Sequence, residues 1–133
     1  MAETELQAFW GDLHGQRGET VGIDTAAQYF DFARNVAFLD VTSHQANDFH
    51  LKDAFWQDLS ALTEELNEDG RFTIFPGYEW SANTPLGGDH NVFFRHEGEE
   101  IIRSSHALLS EVGRAAHRLE DLFAALQGTD AVL

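Results

Sequence analysis

Four short stretches carry side chains able to hold a divalent cation: Asp12-Leu13-His14, His44, Glu79 and Asp89-His90. Imidazole and carboxylate together suit Zn²⁺, Mn²⁺ or Fe²⁺, because a neutral nitrogen binds a borderline metal while a carboxylate offsets charge and can bridge two ions. Taken singly, most of these stretches have a plainer reading. An Asp-x-His pair can be a hydrogen bond at a turn, and a His at a strand end can cap the sheet. Glu79 is less easily explained that way, since an ionised carboxylate directly after a buried strand is costly unless paired or coordinated, and Lys and Arg number only eight. No Cys is present, so any metal must be held by nitrogen and oxygen donors. His50, His96, His106 and His117 sit in charged or helical contexts and read as solvent-exposed.

The elements that must position these groups follow from local patterning. Leu6 to Trp10, Val36 to Val41 and Phe72 to Phe75 read as short apolar strands, each running toward a candidate ligand. Pro76-Gly77 then interrupts pairing, so Glu79 is expected where a strand leaves the core. Thr25-Ala26-Ala27-Gln28 matches a capping box, and Ala26, Tyr29, Phe30 and Ala33 make the stripe of a helix ending near Asn35. A second helix carries Phe55, Leu59, Leu62 and Leu66 on one face and is closed by Gly70. Leu119 to Leu126 forms a third. His90 to Phe94 reads as a fourth strand, residues 95–104 as a surface loop, and Thr129 to Leu133 as a strand just begun.

Strands alternating with helices imply βαβ units and a parallel sheet or part of a barrel, with the site at the carboxyl ends of the strands. Phe9, Trp10, Tyr29, Phe30, Phe38, Phe72, Phe75, Phe93 and Phe94 are assigned to the core. Trp80, next to Glu79, either walls a substrate pocket or packs as core.

At 133 residues with 43% hydrophobic content, the chain suits one domain. A net charge of −15 repels a nucleic-acid backbone or an anionic membrane surface, which excludes both as general partners. The acidic start is not followed by a long apolar run, so neither a secretory signal nor a membrane span is expected and the cytoplasm is the default location. The strand that opens at the end implies that residues 1–133 are the N-terminal portion of a longer domain.

The order Gly11-Asp12-Leu13-His14-Gly15-Gln16, Val41-Thr42-Ser43-His44, Pro76-Gly77-Tyr78-Glu79 and Asp89-His90-Asn91-Val92 resembles the PHP (polymerase and histidinol phosphatase) superfamily of metal-dependent phosphoesterases. More closely, it is similar to a large bacterial family of PHP-like proteins. The resemblance implies a (β/α)7 barrel, present here in part and with mostly parallel strands, bearing one to three metal ions. It makes His14, His44, Glu79 and His90 ligands, with Asp12 a ligand or an orienter of one. Gln16 stands where a second His is expected, and Ser43 where an Asp is.

The chemistry expected is hydrolysis of a small anionic substrate, a phosphate ester, by metal-activated water at Glu79, with Asp48 as candidate general base and Gln16 and Trp80 toward the substrate. Zn, Mn and Fe stay open. A hydrolase of amides or lactones would use the same ion, and a non-catalytic scaffold would need at most one metal. Self-association could cover exposed sheet edges.

Overall fold

The computed structural model describes residues 6–18, 22–105, 109 and 113–133. Strand β1 (Gly11–Gly15) leads through helix α1 (Ala26–Asn35) to β2 (Val41–His44), and helix α2 (Asp53–Leu66) leads on to β3 (Thr73–Ile74). These three strands form a parallel sheet in the order β1-β2-β3. Strands β4 (Gly77–Ser81) and β5 (Asp89–Phe93) pair antiparallel as a second sheet, and helix α3 (Leu119–Leu126) follows.

The described residues therefore make a small α/β structure with three α-helices and two small sheets, and among them the expected partial barrel of mostly parallel strands is not formed. Among the described residues no strand order closes on itself. The physical reason lies in two connections. Only Phe75 and Pro76 separate β3 from β4, and only residues 82–88, which include a 3-10 turn at Thr84–Leu86, separate β4 from β5. A parallel crossover needs roughly a dozen residues or more, so β5 can return only antiparallel.

The helices form for the reasons their sequences state. Thr25 accepts a hydrogen bond from the Gln28 amide while the Gln28 side chain accepts from Thr25, closing the capping box. Ala26, Tyr29, Phe30 and Ala33 then bury one face of α1. In α2 the buried set is Trp56, Leu59 and Thr63, and the helix is capped at Asn67, short of Gly70.

The core joins these faces to Phe72, Ile74, Tyr78, Trp80, Val92, Phe94, Ile101, Ile102 and Leu122. Residues 101–104 are buried against it rather than forming a surface loop. The last residues make a bridge between Val132 and Phe93 instead of a full strand. No described helix is long and apolar enough to cross a membrane.

Two strands begin later than their apolar runs. Leu6 to Trp10 precedes β1, and Val36 to Asp40 is a turn in which Phe38 adopts φ 54°. Phe9, Trp10 and Phe38 are correspondingly 65%, 74% and 78% exposed, and so are not core.

Candidate functional site

The parallel pairing of β1 with β2 is irregular. Gly11 faces Val41 and Asp12 faces Thr42, but the next partner of His44 is Gly15, so β1 carries one extra residue. Such a bulge re-aims side chains. It falls on Leu13-His14, and the His14 side chain, 56% exposed, turns toward the β4–β5 hairpin.

In that hairpin Glu79 pairs with Asn91, which places their side chains on one face. His14 meets both. Its Nδ1 lies 3.0 Å from Asn91 Oδ1 and its Nε2 lies 3.6 Å from Glu79 Oε2. Glu79 is 7% exposed; its Oε2 accepts from Gln16 Nε2 at 2.6 Å and its Oε1 accepts from Ser81 Oγ at 3.3 Å. Asn47 Nδ2 donates to the same Ser81 hydroxyl at 3.0 Å. His14, Gln16, Glu79 and Asn91 thus converge from two separate sheets.

The remaining candidates go elsewhere. His90 pairs with Trp80 one residue along from the Glu79–Asn91 pair, so both point to the opposite face of the hairpin. Their rings lie 6.1 Å apart, and His90 Nε2 is 3.2 Å from the Gly87 carbonyl. Trp80 is fully buried and donates from Nε1 to the Ala116 carbonyl at 3.0 Å, which makes it core rather than a pocket wall.

His44 is buried between the edges of Tyr29 and Phe55, with Nε2 2.9 Å from the Arg17 carbonyl and 3.0 Å from the Arg17 amide, and Nδ1 unpartnered among the described residues. Burial lowers its pKa, against an upward pull from the Arg17 backbone. Asp12 accepts from the His14 amide at 3.0 Å and from the Tyr29 hydroxyl at 2.9 Å, and that hydroxyl lies 2.7 Å from Thr42 Oγ1. Asp12 therefore ties the bulge to α1. Burial raises the Tyr29 pKa well above its ordinary value.

Asp48 is fully buried, and its carboxylate accepts from the Ser81 amide at 2.8 Å, from the Ser104 hydroxyl at 3.0 Å and from the Ser104 amide. Burial pushes its pKa up while these donors and Arg103 pull it down. With its oxygens held this way, Asp48 positions the end of β4 and is not placed to take a proton from a substrate. His106, set aside in the sequence reading, lies outside the described residues.

Among the described residues no group of three or more His, Asp or Glu is close enough to hold a metal ion; the site has one imidazole, one carboxylate and two amides. Asn91 is the residue that sequence reading missed. Its signal was the alternation Asp89, Asn91, Phe93, which shares a face with Glu79 once the antiparallel register is known.

The motif order resembles the PHP superfamily, but the family model that matches is another one, and this overturns the PHP assignment. Residues 3–132 match the model described as protein of unknown function (DUF3604). An uncharacterised protein of Chlamydia pneumoniae is 28% identical over 109 residues, a match covering 79% of this chain and 17% of that protein. The chain therefore spans less than a fifth of that curated relative's length. No solved structure matches. With a match over nearly all of its length, the chain belongs to the DUF3604 family of proteins of unknown function.

Proposed function

We propose that His14 and Glu79 hold a divalent cation and that the protein is a metal-dependent hydrolase of small anionic esters, phosphate esters being the first class to test. One observation carries this reading. His14 Nδ1 faces the Asn91 side-chain carbonyl at 3.0 Å, which suits a proton on Nδ1, and in the neutral ring this leaves the Nε2 lone pair facing the Glu79 carboxylate at 3.6 Å. Two acceptors opposed at that distance do not bond to each other. Ligands of one cation at about 2.0–2.2 Å each lie roughly 3–3.5 Å apart, so the pair suits a shared ion.

The supporting residues have defined roles. Asn91 fixes the His14 tautomer and ring angle, as carbonyl partners of metal-bound histidines commonly do. Gln16 and Ser81 hold one Glu79 oxygen each and so orient the carboxylate toward His14. A bound divalent ion would supply a water of lowered pKa and offset charge on a phosphoryl oxygen, against a chain of net charge −15. The cytoplasm is part of the same proposal.

A second reading has its own support, because His44 and His90 face backbone groups of Arg17 and Gly87 rather than Glu79. On that reading the chain is a binding or scaffold module with at most one cation. Calorimetric titration with Mn²⁺ and Zn²⁺ separates the two. The hydrolase reading requires saturable binding that is lost in His14→Ala and in Glu79→Ala, with turnover of p-nitrophenyl phosphate that follows occupancy. Metal binding without turnover leaves the scaffold, and binding that survives both substitutions removes the site.

A further inference from the structure

We infer that the face carrying His14, Glu79 and Asn91 continues into a binding site for an apolar arm that ends in an anionic group. Asn91 and Phe93 alternate on one side of β5, one further hydrogen bond from the Phe94 amide to the Pro76 carbonyl carries the pairing past the strand, and Arg95 follows at the bend beyond it. Asn91 touches His14. Phe93 then walls a cleft of about 340 Å³ with Leu13, Phe75, Val132 and Leu133, and Arg95 stands at its margin.

The cleft has the composition of a ligand site. Its walls are apolar, it adjoins a polar cluster, and the Arg95 guanidinium stands at one end. Leu13, Val132 and Leu133 are each between two fifths and three fifths exposed although their neighbours Gly15 and Phe94 are buried. Arg95 is one of eight basic residues in a chain of net charge −15, and among the described residues it makes no ion pair. An unpaired guanidinium beside apolar walls is complementary to a carboxylate, sulfonate or phosphate at the end of an aryl or alkyl body.

The separation limits the occupant. Four residues along the chain put Arg95 at most roughly 13–14 Å from Asn91, which admits a molecule no longer than a two-ring aromatic or a medium alkyl chain with its head groups. The reacting end of such a molecule would lie at His14 and Glu79, a statement that rests on the reading proposed above. The arm site does not depend on it.

Two fluorescent probes with the same ring system test the arm site without metal or turnover. 1-Anilinonaphthalene-8-sulfonate carries the anion and N-phenyl-1-naphthylamine lacks it. The wild type is expected to bind one equivalent of the sulfonate saturably. Arg95→Glu should weaken the sulfonate about tenfold, since reversal replaces a partly exposed ion pair by repulsion, and change the neutral probe less than about twofold. Phe93→Ala and Leu13→Asn should weaken both probes.

Equal effects of Arg95→Glu on the two probes, or none on either, would overturn the proposal. So would sulfonate binding unchanged in Phe93→Ala and Leu13→Asn. Because no divalent cation is added, failure of the metal site and failure of the arm site register in different experiments.

Discussion

His14 and Asn91 stand 77 residues apart in the chain and 3.0 Å apart in space, imidazole Nδ1 against amide Oδ1. The contact joins the bulge of β1 to β5, and so joins the two sheets at the point where Glu79 opens. If Asn91 orients His14 as a ligand, Asn91→Ala should weaken Mn²⁺ binding by about 10–100-fold without unfolding the protein, while Asn91→Asp, which keeps the acceptor, should stay near wild type. Titration calorimetry on the three proteins decides it, and equal affinities for wild type and Asn91→Ala would remove the orienting role.

Asp48 and Arg103 hold residues 101–104 onto the loop before α2. Arg103, 1% exposed, donates from Nη1 to the carbonyls of Asp48 and Leu51 at 2.6 Å each and pairs with Asp53, while Asp48 receives Ser81 and Ser104. Truncation to Asp48→Ala leaves the buried amides of Ser81 and Ser104 and the Ser104 hydroxyl without their acceptor and removes the carboxylate charge near the buried Arg103 guanidinium, whose bond to the Asp48 backbone carbonyl stays. A loss of about 3–5 kcal/mol is expected in urea unfolding. A value within about 0.5 kcal/mol of wild type would show that water replaces the carboxylate.

How much of this was readable beforehand depended on whether the signal was local. The capping box at Thr25-Gln28 and the stripe Leu119, Leu122, Phe123, Leu126 are self-contained, and α1 and α3 occupy those residues. Strand starts were read too early because Phe9, Trp10 and Phe38 are apolar yet exposed, and nothing near them in sequence states what they face. Glu79 was expected after a strand. It lies in the middle of β4, since Pro76 ends one strand and Gly77 begins the next at once.

The convergence of His14 with Glu79 was readable as two motif ends, whereas the turning away of His90 was not. Its orientation depends on the antiparallel register, which only the short connection between β4 and β5 sets. Burial of Arg103 had no local signal either, because its partners lie about fifty residues away.

Gly15 closes the bulge beneath Tyr29, and a Cβ there would fall within the Tyr29 ring. That ring cannot easily move, since its hydroxyl is bonded to Asp12 and Thr42 and the residue is buried. Gly15→Ala should therefore destabilise the fold by about 1–3 kcal/mol through overpacking. The check is a double-mutant cycle: Tyr29→Ala should relieve the clash, so that the pair costs less than the sum of the two single changes. Strict additivity would mean that the clash is absorbed elsewhere.

His44 sets a pH dependence whose sign follows from its surroundings. Burial holds its folded pKa below the usual 6.5, so between those two values the unfolded chain binds more protons than the folded one. The stabilising contribution is complete above pH 6.5 and is lost as the pH falls through the folded value. A single such proton gives a slope of at most about 1.4 kcal/mol per pH unit. Urea unfolding of the wild type at pH 7.5 and at 5.5 should thus show a larger drop in stability than His44→Gln shows over the same interval, the carboxylates contributing equally to both. Parallel profiles for the two proteins would mean that the imidazole reaches solvent when charged, and would contradict its burial between Tyr29 and Phe55.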